Sequence, residues 1–158
     1  MKIRNSIFKI STFLTSILVM FMLIHPNAYS LVQRDATIVE VKGDVQYLSA
    51  NQTDWKTARK NLLLKKNDSI RTVAGASAVL AVDSVAEGST IKVGPNTQVK
   101  IADLALDENT GVESTLLDLA IGNILIDTNP TQGSQFKVKT PTAIVGARGT
   151  SFKVNVNK

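Results

Sequence analysis

The side chains best suited to nucleophilic or acid–base chemistry are almost missing from this chain. Its single histidine, His25, lies in an N-terminal stretch that has the form of a removable export signal, and it has no cysteine. Losing that histidine excludes Ser-His-Asp and Cys-His nucleophiles, the common zinc sites and the side chain that titrates near neutral pH. Three acids remain close together in sequence: Asp103, Asp107 and Glu108. Paired carboxylates serve glycoside-type acid–base catalysis, and oxygens from Asp107, Asn109 and Thr110 would make a weak calcium site. Acids beside an Asn-Thr-Gly turn are far more often a solvated loop, however. The ligand spacing of a dedicated calcium loop is missing, and no glycine-rich phosphate motif occurs. The expectation is a non-enzyme that holds neither cofactor nor metal.

The most informative stretch is TPTAIVGARGTSFKV, residues 140–154. Thr140 and Pro141 open it, Gly146 and Gly149 bracket Arg148, and strict alternation resumes through Phe152 and Val154. Proline fixes one φ and removes a donor, while glycine permits backbone that other residues resist. Counting back by twos from Phe152 through Thr150 directs Arg148 inward. A buried guanidinium needs internal partners. The preferred reading is therefore a structural arginine that ties the last strand to carbonyls or an acid. The alternative is a partner-facing arginine, displayed because the glycine kink disturbs the alternation. Phe152 is assigned to the core.

This stretch resembles the closing motif of the FecR domain, a bacterial envelope module whose last strands read T-P-x-A-x-x-G-x-R-G-T-x-F-x-V. Thr140, Pro141, Gly146, Arg148, Gly149, Thr150 and Phe152 all match. Shorter segments resemble it upstream, in the same order: Gly43-Asp44-Val45, residues 64–70, residues 91–97 and residues 119–124. Together they span about residues 38–156. The resemblance implies an all-β domain and a binding or signalling role.

The elements that carry the motif begin after a leader. Lys2, Arg4 and Lys9 form a basic head, residues 10–24 are uncharged and largely apolar, and Ala28-Tyr29-Ser30 offers small residues for cleavage after Ser30. Residues 1–30 are thus expected to be a signal peptide and residues 31–158 one domain, periplasmic or secreted. The competing reading is an uncleaved membrane anchor. No cysteine follows the apolar run, which excludes a lipid-anchored lipoprotein. Three of the 18 basic residues and none of the 13 acidic ones precede residue 31. The mature chain is nearly balanced in charge, unlike a nucleic-acid binder.

Turn signals recur about every ten residues, the spacing of an all-β fold. Lys65-Lys66-Asn67-Asp68, Ala74-Gly75-Ala76, Gly94-Pro95-Asn96, residues 107–111 and residues 129–133 each break a strand pattern. Residues 36–48 alternate on either side of Gly43-Asp44, with Thr37, Val39 and Val41 on one face and Ile38 and Glu40 on the other. Residues 112–127 form two apolar runs hinged at Gly122. The only tryptophan, Trp55, is read as a ring capping one end of the core, with an exposed stacking platform as the sharper alternative. The architecture expected is a twisted two-sheet roll or a short irregular β-helix.

FecR proteins of the iron-siderophore type relay a signal from an outer-membrane transporter to a cytoplasmic sigma factor, through a cytoplasmic sigma-binding segment. Only residues 1–9 would lie in the cytoplasm here, too few for that segment, and the chain ends directly after the domain. The expectation is therefore a stand-alone exported module that binds another envelope protein, by strand addition at a sheet edge. The alternative is a structural or glycan-binding module using Trp55 or Tyr47. Nucleic acid is not an expected partner, and membrane is one only if the leader is retained.

Overall fold

Turn chemistry cuts this chain into short strands, and the left-handed backbone falls where the sequence supplies residues that tolerate it. Among non-glycine residues, Asn61, Asn67 and Asn96 adopt positive φ (66°, 71° and 50°), as asparagine does at tight corners. The computed structural model describes residues 30–82, 88–128 and 134–157. The leader and the turn at 129–133 fall outside those residues.

Among the described residues there are thirteen strands and no helix. They are β1 (Leu31–Gln33), β2 (Ala36–Lys42), β3 (Val45–Leu48), β4 (Lys56–Thr57), β5 (Leu63–Leu64), β6 (Ser69–Thr72) and β7 (Ser77–Ala81). After these come β8 (Thr90–Val93), β9 (Gln98–Asp107), β10 (Val112–Asp127), β11 (Gln135–Lys139), β12 (Ile144–Arg148) and β13 (Phe152–Val156). The fold is all-β, one curled sheet made of two ladders that share β10. One ladder runs β4-β3-β6-β9 into the first half of β10 and on through β11 to β12. The other runs β5-β2-β7-β8 into the second half of β10, with β13 on its far side. Of the described pairings only β10 with β11 is parallel. A β-helix needs stacked parallel coils, so this is a roll.

Several apparent hairpin turns are corners at which the chain leaves one ladder for the other. Gly43-Asp44 joins β2 to β3, residues 73–76 join β6 to β7, and Gly94-Pro95-Asn96-Thr97 joins β8 to β9. β10 makes the same transition without leaving the strand. Its inward residues are Glu113, Thr115, Leu117 and Leu119, and then, after Gly122, Ile124 and Ile126. The parity reverses at a register shift between Leu119 and Ile121. Gly122 has φ +96°, and a Cβ there would overlap Thr97 and lie 2.6 Å from the Asn96 carbonyl. Only glycine fits this crossing. Thr97 secures it: its hydroxyl accepts from Asn123 N (3.0 Å) and lies 3.0 Å from the Pro95 carbonyl. Asn123 O in turn accepts from Gly94 N (2.9 Å).

The expected faces of β2 need one correction. Ala36 and Ile38 point inward, but Val41 also packs on the core. A bulge between Ile38 and Glu40, against β7, inserts one residue and reverses the parity. The core itself joins both ladders. Ile38, Leu64, Leu80, Ile91, Ile124 and Ile126 come from one, and Ile70, Ile101, Leu104, Leu117, Leu119 and Phe136 from both halves of the other. Each contributes about 1.5–3 kcal/mol by burial. A buried ion pair lies within this apolar frame, Arg34 Nη1 to Glu113 Oε2 at 3.3 Å. Arg34 also donates to the Val82 carbonyl.

Candidate functional site

The closing motif is a hairpin followed by a strand that changes ladder. β11 is pinned by Phe136 and Val138, both buried, in parallel register with β10 from Ser114↔Gln135 to Asp118↔Lys139. The chain then reverses over residues 140–143. Thr140 N donates to Ala143 O (2.8 Å), and Ala143 N donates to Thr140 Oγ1 (3.0 Å). Thr140 therefore closes the turn with its side chain as well as its backbone, and Pro141 supplies the fixed φ that such a turn favours. β12 returns antiparallel to β11, with Lys139↔Ile144 at one end and Gln135↔Arg148 at the other. Gly149 ends it at φ +65° and donates to Ser134 O (3.4 Å). Ser151 Oγ then donates to Asp127 Oδ1 (2.7 Å) and accepts from Thr128 N (3.3 Å). These bonds start β13 against the second half of β10. Thr150 is exposed, Phe152 is half-buried against the core and Val154 is buried.

Arg148 is exposed, not interior. Parity counted from Phe152 fails because the positive-φ Gly149 and the bend at 149–151 separate two strands in different ladders. The backbone displays Arg148 outward, so the interior, structural reading of this residue does not hold.

Among the described residues β12 pairs only with β11, so its other edge is open. Hydrogen-bonded and non-bonded pairs alternate along an antiparallel ladder. The bonds at 140/143 and 134/149 place 138/145 and 136/147 in the bonded set. The amides and carbonyls of Ile144, Gly146 and Arg148 therefore face the open edge. Ile144 is 69% exposed and Val145 39%. Gly146 has no positive φ, and a Cβ there would make ordinary contacts, 3.5 Å from Phe136 O and 3.7 Å from Lys137 Cγ. Among the described residues nothing demands glycine at this position. Two depressions meet at the hairpin turn. A cleft of about 480 Å³ includes Ile121, Pro141, Val145, Val154 and Val156 in its wall, and a groove of about 360 Å³ runs past Lys100, Asp118, Lys139 and Thr140.

The acids singled out from sequence are held apart by separate contacts. Asp103 pairs with Lys66 (2.8 Å), Asp107 Oδ1 caps Asn109 N (3.0 Å), and Glu108 Oε2 accepts from Ser30 Oγ (2.7 Å). Trp55 is half-buried outside the core cluster. The guanidinium of Arg71 lies 4.2 Å from its ring centroid and is held there by Nε and Nη2 bonds to Gln46 Oε1 (3.0 and 2.6 Å). Arg71 and Gln46 are a direct cross-strand pair, so the ring covers the outer face of the sheet instead of capping the core. Tyr47 packs on the core. Sequence reasoning missed the free edge of β12 and the Arg34–Glu113 pair. The apolar run at residues 143–145 was visible, but the missing neighbour was not.

A family model described as FecR protein matches residues 68–158, from the turn before β6 onward. No curated protein and no solved structure matches the chain.

Proposed function

This chain belongs to the FecR family, and on that premise we propose that it is a non-catalytic module of the bacterial cell envelope that binds another envelope protein in a signalling or adaptor role. FecR domains are signalling and regulatory modules of the envelope. Placement in the periplasm or outside the cell rests on the basic head, the apolar run and the Ala28-Tyr29-Ser30 site. The contact surface is the closing hairpin. The observation that carries it is the open edge of β12, with apolar residues exposed along it. An edge of this kind is a template for pairing with another chain. The glycan alternative draws less support, because one face of Trp55 is already occupied by Arg71 and Tyr47 faces inward.

The test is in-cell crosslinking of a tagged copy, with envelope fractionation and mass spectrometry of what is retained. One dominant protein partner, crosslinked through residues 144–148, is the expected outcome. Recovery with peptidoglycan or polysaccharide and no specific protein would overturn it.

A further inference from the structure

The charge of the domain is unevenly divided along the chain. From Ser134 to Lys158 there are five basic residues and no acid, whereas residues 31–133 hold ten basic residues and all thirteen acids. Three of the five cations share one face. In an antiparallel ladder directly opposed residues project to the same side. Lys137 is opposite Gly146, Lys139 is opposite Ile144, and Arg148 is opposite Gln135. The other face of the same ribbon holds Phe136 and Val138, opposite Ala147 and Val145. Lys137, Lys139 and Arg148 are exposed, and among the described residues no carboxylate lies within ion-pairing distance of any of them. The open edge of β12 is thus basic on one side and apolar on the other.

We propose that the occupant of this edge is an extended segment of the partner protein, hydrogen-bonded to Ile144, Gly146 and Arg148, with acidic side chains alternating with small apolar ones. This rests on the protein-binding reading above and specifies the partner's chemistry. Residues of the incoming strand opposite Ile144, Gly146 and Arg148 lie on the basic face. An acid opposite Gly146 meets no side chain there and reaches across to the ammonium of Lys137. That use explains a glycine which neither backbone conformation nor internal packing requires. The alternate residues lie over Val145 and Ala147, where the neighbouring cleft admits small apolar groups.

The probe is a fluorescent nonapeptide alternating glutamate with valine, compared with its lysine-for-glutamate counterpart and titrated against the purified chain. The glutamate peptide is expected to bind and the lysine peptide not. Arg148→Glu should weaken binding by about tenfold or more, with binding falling further as salt rises. Gly146→Pro removes an outward amide and Gly146→Val fills the gap before Lys137. Both should weaken binding while thermal unfolding, followed in parallel, confirms a folded chain, and the valine variant keeps the ladder intact if proline does not. On saturation, amide exchange should slow at Ile144, Gly146 and Arg148, and not at Val145 and Ala147, which the β11 ladder already protects.

Equal binding of the two peptides, or protection elsewhere, would overturn the proposal. So would retention on phosphatidylglycerol vesicles with no peptide binding, in favour of a lipid surface. A protein partner crosslinked in cells through another surface would sink this proposal and leave the binding role standing. The absence of any protein partner would remove the role itself.

Discussion

Gly122→Ala is the sharpest test of how the two ladders are joined. At φ +96° an L-residue is strained by about 1–2 kcal/mol before any contact is counted. The added methyl would also overlap Thr97 and lie 2.6 Å from the Asn96 carbonyl, which is backbone and cannot rotate away. Relieving that overlap costs roughly another 1–3 kcal/mol. Displacing Thr97 further loosens its bonds to Asn123 and Pro95, each worth about 0.5–1.5 kcal/mol. The total is about 3–8 kcal/mol, against roughly 5–15 kcal/mol for the stability of a whole domain. Gly111→Ala is the control. It has φ +68°, but nothing lies within 4 Å of its would-be Cβ, so only the conformational cost of about 1–2 kcal/mol applies. Equilibrium urea unfolding of both variants, followed by far-UV circular dichroism, measures the difference. Equal losses would show that crowding at the crossing contributes nothing, and the account of β10 would fail.

Other substitutions probe separate parts of the structure. Glu113→Ala removes the carboxylate paired with Arg34 and should cost roughly 3–5 kcal/mol, whereas the pair changed together to Arg34→Met and Glu113→Leu should recover most of it by the same unfolding assay. Thr97→Val keeps the shape and removes the hydroxyl that serves Asn123 and Pro95, with an expected loss of about 1–3 kcal/mol in urea. Arg148→Ala should change stability by no more than about 0.5 kcal/mol, as an exposed side chain would; a loss of several would restore the interior reading of that residue. Arg71→Ala should alter Trp55 fluorescence and cost about 0.5–1 kcal/mol, since the guanidinium stacks on that ring at a partly exposed site.

What the sequence made legible was local. Gly94-Pro95-Asn96, Asn67-Asp68 and Ala74-Gly75-Ala76 announce corners because turn chemistry depends on a few adjacent residues. The hinge at Gly122 was visible for the same reason, and the all-β class followed from turn spacing. Two of the inferences that failed were parity arguments. β2 reverses its faces at the bulge near Val39, and Arg148 turns outward beyond Gly149. Alternation holds only while the backbone stays regular, and neither break has an unambiguous local signature. Trp55 was misplaced because its partner, Arg71, is remote in sequence. The Thr-Pro pair was legible as the start of the motif, but the Thr140–Ala143 clasp was not. The openness of β12 was not, since a free edge is defined by a strand that is not there.

Sharing one strand between both ladders also dictates the order in which the molecule can form. β8 and β9 each need β10 as a neighbour, yet β10 does not begin until residue 112 and ends at residue 127. Until that strand is in place the first nine strands lack the element that unites them and carry β-rich edges with no central partner. Such pairings are intrinsically slow to close. A chain that emerges N-terminus first is therefore most prone to aggregate just before its longest strand appears.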